Sequence, residues 1–140
     1  MDIIGFTGTQ RGMTRIQKSV LRGILQNDSG EFHHGDCIGA DEEAHDIASE
    51  LGYDIWVHPP KDPSKRAFCK APNNRMMFAK PYLVRNHDIV DVCTKLIATP
   101  GEAVEQLRSG TWATIRYARK VGKEVTIIFP NGDISDAKNR

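Results

Sequence analysis

The chain has 140 residues, 19 Lys plus Arg against 18 Asp plus Glu, and a net charge of +1. A chain of this length folds as one domain and buries roughly two-thirds of the surface its unfolded form exposes, enough for a core without disulfides or a structural metal. No apolar run approaches the roughly 20 residues of a membrane span, and a near-neutral charge gives no broad footprint for duplex nucleic acid. No membrane partner is therefore expected, and any nucleic-acid contact has to be local. Cys37, Cys69 and Cys93 are odd in number and form no C-x-x-C pair, and Asp2 stands where a signal peptide would carry basic residues. Both features read as a cytoplasmic protein in a reducing compartment.

Asp2 to Thr7 is a β-branched run that ends at Gly8 and predicts a strand. From Thr14 to Gln26 the spacing becomes helical, with Ile16, Val20, Leu21, Ile24 and Leu25 on one stripe and Thr14 with Gln17 as a capping box. Glu31 to His34 reads as a second strand, and Asp41 to Leu51 as a helix closed by Gly52. Asp54 to His58 predicts a third strand. Residues 59–81, holding five prolines, break regular structure over a length uncommon in compact domains, and are a candidate lid. A helix over Tyr82–Val92, a strand over Lys95–Thr99, a helix over Thr111–Val121 and a strand over Glu124–Phe129 complete the alternation. Residues 131–140 read as a polar tail outside the domain of residues 1–130. Strands apolar on both faces, alternating with helices, predict a single Rossmann-like, doubly wound α/β domain. Its mainly parallel five-stranded sheet would carry helices on both faces.

In such a fold ligands lie outside the carboxyl ends of the strands. The first loop there, Thr7-Gly8-Thr9-Gln10-Arg11-Gly12, offers bare backbone N–H groups and a positive helix end to a phosphate, with Arg11 as a clasp; it also serves simply as a tight turn. In the second, His34 to Asp41, Gly35 and Gly39 would let a ligand approach the backbone. Asp41 is either a helix N-cap or a carboxylate for ribose hydroxyls, and Cys37 reads as a small buried side chain. His33, His34, His45 and Asp46 lack a metal-site spacing, so no metal and no cofactor are assigned. The third element is Arg85-Asn86. The fourth, Arg108-Ser109-Gly110-Thr111-Trp112, combines charge, helix-start donors and an indole that either stacks on a ligand or packs in the core.

These pieces, in order, resemble the SLOG superfamily of nucleotide-binding Rossmann-like proteins. The likeness rests on Gly5 to Gly8 with Arg11, His34-Gly35, Gly39-Ala40-Asp41 with Ala44, Arg85-Asn86, Ile97-Ala98 and Ser109-Gly110-Thr111, and runs from Gly5 to about Pro130. It is strongest toward the small YspA-type proteins and the core of the DNA-processing protein A family. It extends to the Lonely Guy phosphoribohydrolases, whose Gly-Thr is kept at Gly110-Thr111. The acid of their motif is replaced here by Thr114, and Glu102 or Glu105 in the preceding loop would have to substitute.

The resemblance implies binding of a nucleotide or nucleotide-derived small molecule, as a sensor or carrier, and a homodimer. Thr9, Arg11 and Ser109 to Thr111 would take phosphate, Asp36 or Asp41 would face ribose, and Trp112 or Phe68 would stack on the base. Two alternatives stay open. One is an N-glycosidase with Asp36, Asp41 or a loop glutamate as the catalytic carboxylate. The other is a single-stranded nucleic-acid binder using Lys61, Lys65, Arg66, Lys70, Arg75, Lys80 and Arg85.

Overall fold

The computed structural model describes residues 2–135. Its strands are β1 (Asp2–Gly8), β2 (Gly30–His34), β3 (Asp54–Val57), β4 (Lys95–Thr99), β5 (Glu124–Ile128) and β6 (Ile134–Ser135). Its helices are α1 (Arg15–Gln26), α2 (Ala40–Glu50), α3 (Tyr82–Val92) and α4 (Gly110–Lys120). One sheet holds all the strands in the order β3-β2-β1-β4-β5-β6. The first five are parallel and β6 is antiparallel to β5.

The sheet thus has six strands where five were expected. The extra one arises in the segment read as tail. The Asn131 carboxamide oxygen accepts the Asp133 N–H at 2.9 Å and Phe129 N–H donates to Asp133 carbonyl, so the chain reverses and Ile134 pairs with Ile128. The side-chain bond mimics a backbone turn, which is why Asn is favoured there. Residues 136–140 of that tail lie outside the described residues.

Both sheet faces are covered, as continuous apolar strands require. Leu21, Leu25, Ala44 and Ile47 of α1 and α2 pack with Phe6, Phe32, Val57 and Ile97 on one face. Val90, Trp112, Ile115 and Ala118 of α3 and α4 pack with Leu96, Ala98 and Val125 on the other. The Thr14–Gln17 capping box forms as expected. Ile16, placed by its spacing on the buried stripe, is instead exposed, and Gln17 is buried. Its amide donates to the carbonyls of Pro100 and Ile128 and ties the ends of β4 and β5 together.

Strand order reverses between β1 and β4, which run side by side with Gly8 level with Thr99. The loops after these two strands leave in opposite directions and open a crevice, the usual ligand position in doubly wound sheets. Residues 59–81 are laced to the sheet's edge. Two 3₁₀ turns, Pro63–Lys65 and Asn73–Arg75, interrupt them, and backbone bonds run from Met77 to Val57, Lys61 to Lys80, Lys80 to Pro59 and Ala67 to Asp36.

Candidate functional site

Gly8, Thr9 and Gln10 after β1, Gly101 and Glu102 after β4, Ser109 to Thr111 at the start of α4, and Tyr82 at the start of α3 line a cleft of about 220 Å³. It sits at the reversal of strand order. Ser109 is the N-cap of α4, its hydroxyl accepting the Trp112 N–H. The N–H groups of Gly110 and Thr111 have no partner among the described residues. They carry the partial positive charge of the helix end into the cleft. Arg11 stands at the rim, largely exposed, with its Nη2 2.8 Å from Oε2 of Glu102. Oε1 of Glu102 accepts the indole N–H of Trp112 at 3.1 Å.

A second, narrow cavity of water size, about 10 Å³, lies beside Tyr82 and is lined by Thr7, Gly35, Cys37, Asp41, Arg85 and Asn86 among others. Buried Arg85 donates to the Gly35 carbonyl, approaches Sγ of Cys37 at 3.4 Å, lies 4.0 Å from Asp41 and carries the Tyr82 ring over its guanidinium. Its Nε and the Asn86 Nδ2 have no hydrogen-bond partner among the described residues. Burial, with Asp36 close by, lifts the Asp41 carboxyl to about 6 against the pull of Arg85. Burial likewise raises the Cys37 thiol, in keeping with a packed rather than an activated cysteine.

Several expected roles are reassigned. The N-cap of α2 is Gly39, and Asp41 sits inside the helix, accepting the Cys37 N–H. Gly35 and Gly39 do not leave room for a ligand. A β-carbon on Gly35 would meet the Arg85 guanidinium, and one on Gly39 would lie 2.3 Å from the Gln10 carbonyl. Ala40 is buried, and its N–H donates to the Thr9 carbonyl, holding the first two loops together. Asp36 is fully buried; Arg66 Nε donates to one carboxylate oxygen at 2.6 Å and Cys69 N–H to the other at 2.8 Å. It anchors the long segment and does not face the cleft. Trp112 packs in the core, leaving no open ring face. Exposed Phe68 stacks instead on the Arg66 guanidinium. Thr114 donates its hydroxyl to the Gly110 carbonyl, and Glu105 pairs with Arg116 outside the cleft. Glu102 is thus the carboxylate among the cleft's lining residues.

Gln10, Tyr82 and Gly101 were not read from the sequence as site residues. Tyr82 was the most legible of them, because it lies one helical turn before Asn86 and next to Pro81, whose fixed φ starts α3. A β-carbon on Gly110 would lie 2.0 Å from the Tyr82 hydroxyl, so this glycine seats the tyrosine at the boundary of both cavities.

Four of the five histidines form two hydrogen-bonded chains. Glu31 accepts from Nε2 of His33, whose Nδ1 accepts from His58 Nε2 at 2.8 Å. This chain and Trp56 line a groove of about 690 Å³ on the sheet face beside α3. In the other chain, Asp36 N–H donates to Nδ1 of His34, so Nε2 carries the proton and donates to Nδ1 of His45 at 2.9 Å. His34, His45 and Cys69 bring possible metal-ligand atoms within 4.8 Å of one another. An ion on His34 Nε2 would have to displace that proton while Nδ1 still accepts a backbone N–H, so the trio is built for hydrogen bonding. Burial holds all four imidazoles below their usual pKa, His58 at about 4.

No protein-family model and no curated protein matches the sequence. Solved structures do resemble the fold. The protein TM1055, a structural-genomics target, superposes with a TM-score of 0.64 at 15% identity, over 89% of this chain and 72% of that one. DNA processing protein A from Streptococcus pneumoniae gives 0.61 at 16%, over 89% of this chain and 49% of that one, so the present chain spans about half its length. The Moco carrier protein from Chlamydomonas reinhardtii gives 0.63 at 19%, over 89% and 74%. No helix among the described residues is long and apolar enough to cross a membrane. In its α/β architecture and mainly parallel sheet the chain shares the fold of these three proteins.

Proposed function

We propose that the cleft binds a phosphate-bearing small molecule, a nucleotide or nucleotide-derived compound, and that the protein acts as its sensor or carrier. The observation that carries this reading is the pair of open N–H groups of Gly110 and Thr111 in a cleft at the reversal of strand order, with Arg11 paired to its wall residue Glu102. A helix start with free donors and a guanidinium at its rim is suited to a phosphate dianion. The fold likeness to a carrier protein and to a DNA-processing protein is compatible with it. Thermal unfolding with a panel of nucleoside mono-, di- and triphosphates tests it. A ligand at a hundred times its Kd adds about 2.7 kcal/mol. Arg11→Ala is expected to diminish that gain, and unchanged affinity in this variant would count against the placement.

A second reading, cleavage of an N-glycosidic bond, is favoured by one feature: Glu102 puts a carboxylate among the cleft's lining residues, beside the first turn of α4. Asp36 and Asp41, both buried and engaged, are poorer candidates for that role. Release of free base that is lost in Glu102→Gln would establish it.

A further inference from the structure

A second open cavity, of about 520 Å³, adjoins the cleft and shares Gln10, Tyr82 and Gly110 with it. Its outer wall is made by Pro60, Lys61, Asp62 and Lys65 of the long segment, Pro81, and Arg108 of the β4–α4 loop. We infer that this cavity is a second anion subsite, and that the ligand of the cleft carries a chain of two or more phosphates. The inference rests on the phosphate-binding reading of the cleft.

Three observations support it. First, the long segment's basic residues are not equivalent. Arg66 is paired with Asp36, Arg75 donates to the Ile55 carbonyl, Lys80 is paired with Asp88, and Arg85 is buried against Gly35 and Asp41. Lys61, Lys65 and Lys70 remain without an ion pair among the described residues, and two of these three line the cavity. Second, Arg108 reaches the same cavity from a different loop and is also unpaired among the described residues. Cations converging from independent segments on one concavity concentrate positive potential there. Third, Lys61, Lys65 and Arg108 outnumber the cavity's one acid, Asp62, whose Oδ1 accepts the N–H and the hydroxyl of Ser64.

The same accounting disfavours an extended single strand. A strand needs a continuous basic track with stacking faces. Here four of the seven basic residues are consumed by internal contacts, and of the three left only Lys61 and Lys65 line the cavity beside the cleft. A contiguous polyphosphate, reaching from the α4 start past Tyr82 toward Lys61 and Lys65, meets this arrangement.

Calorimetric titration of the full chain with inorganic phosphate, pyrophosphate and tripolyphosphate at one ionic strength tests the inference, with a short oligothymidylate as a fourth arm. Added charge-assisted contacts predict that pyrophosphate and tripolyphosphate bind at least about tenfold more tightly than phosphate. Lys61→Ala with Lys65→Ala is expected to bring that ratio close to one, whereas Lys70→Ala, outside the cavity, leaves it unchanged. Phosphate binding with no gain for the longer anions, or a gain that Lys70→Ala reduces equally, overturns the inference and leaves the cleft reading standing. Failure of all three anions to bind removes both. Oligothymidylate binding tighter than tripolyphosphate, weakened by Lys70→Ala, replaces the inference with a strand-binding surface.

Discussion

A β-carbon built on Gly35 would fall 1.4 Å from Nη1 of Arg85: the space the glycine leaves is occupied by the chain's own guanidinium. Arg85 in turn fixes the Gly35 carbonyl, stands by Asp41 and supports the Tyr82 ring, so one residue braces the turn after β2 against the start of α3. Gly35→Ala is expected to unseat Arg85 and leave Asp41 buried with a displaced partner. The cost should be about 3 kcal/mol, as for a broken buried charge pair. Urea unfolding reads this directly, and a loss below about 0.5 kcal/mol, the range of neutral surface changes, contradicts it.

Acid should destabilise the fold well above the pH at which ordinary carboxylates titrate. His33, His34, His45 and His58 are held below the usual imidazole pKa by burial, His58 at about 4. The unfolded chain therefore takes up protons first, and stability falls as pH drops from 6.5 toward 4. Asp41, raised to about 6, runs the other way: the folded chain protonates first and gains stability as pH falls from about 6 to 3.8. Four histidines outweigh one carboxyl. His58 alone should account for about 2 kcal/mol between pH 7 and pH 5. In His58→Gln the stability–pH slope over this interval should flatten by a comparable amount; an unchanged slope would count against the buried neutral pair.

Glu102 holds Arg11 through an exposed pair that contributes at most about 1 kcal/mol to stability. Its larger effect should be on binding, because it competes with a ligand anion for the same guanidinium. Glu102→Gln keeps an acceptor for the Trp112 indole and removes the charge. Affinity for a nucleoside monophosphate is expected to rise several-fold with little change in melting temperature. A fall in affinity would show that Glu102 contacts the ligand favourably.

Asp36 fastens the long segment to the turn after β2. Its backbone has φ of +57°, a conformation that Asn tolerates, so Asp36→Asn removes charge without straining the chain. Arg66 then loses its partner, and trypsin is expected to cut at Lys65 and Lys70 several-fold faster than in the parent protein. Equal cleavage rates would show that the backbone bonds alone hold the segment.

The helices and the first five strands were legible because their signals are local: apolar period, a capping box, and glycine or proline at the ends. The last strand was not, because its pairing depends on a turn built from one Asn side chain in an otherwise polar stretch. Within the candidate site, the helix start at Ser109 to Thr111 could be read from its capping chemistry. The functions of glycines and carboxylates could not. A glycine that admits a ligand and one that admits an arginine look alike in sequence, and only the fold shows Gly35 beside Arg85, or Asp36 beside Arg66. Trp112 illustrates the same limit: its position at a helix start allowed either stacking on a ligand or packing in the core, and the helix's inward face carries it into the core.

The central claim, that a phosphate group sits on the open N–H groups at the start of α4, is tested most directly by amide NMR. The ¹⁵N-labelled protein would be titrated with a nucleoside monophosphate and, separately, with inorganic phosphate. The Gly110 and Thr111 amide resonances are expected to move most, together with those of Thr9 and Gln10, and the movement to be suppressed in Arg11→Ala. Shifts confined to the groove around His33 and Trp56, with Gly110 and Thr111 unmoved, would contradict it.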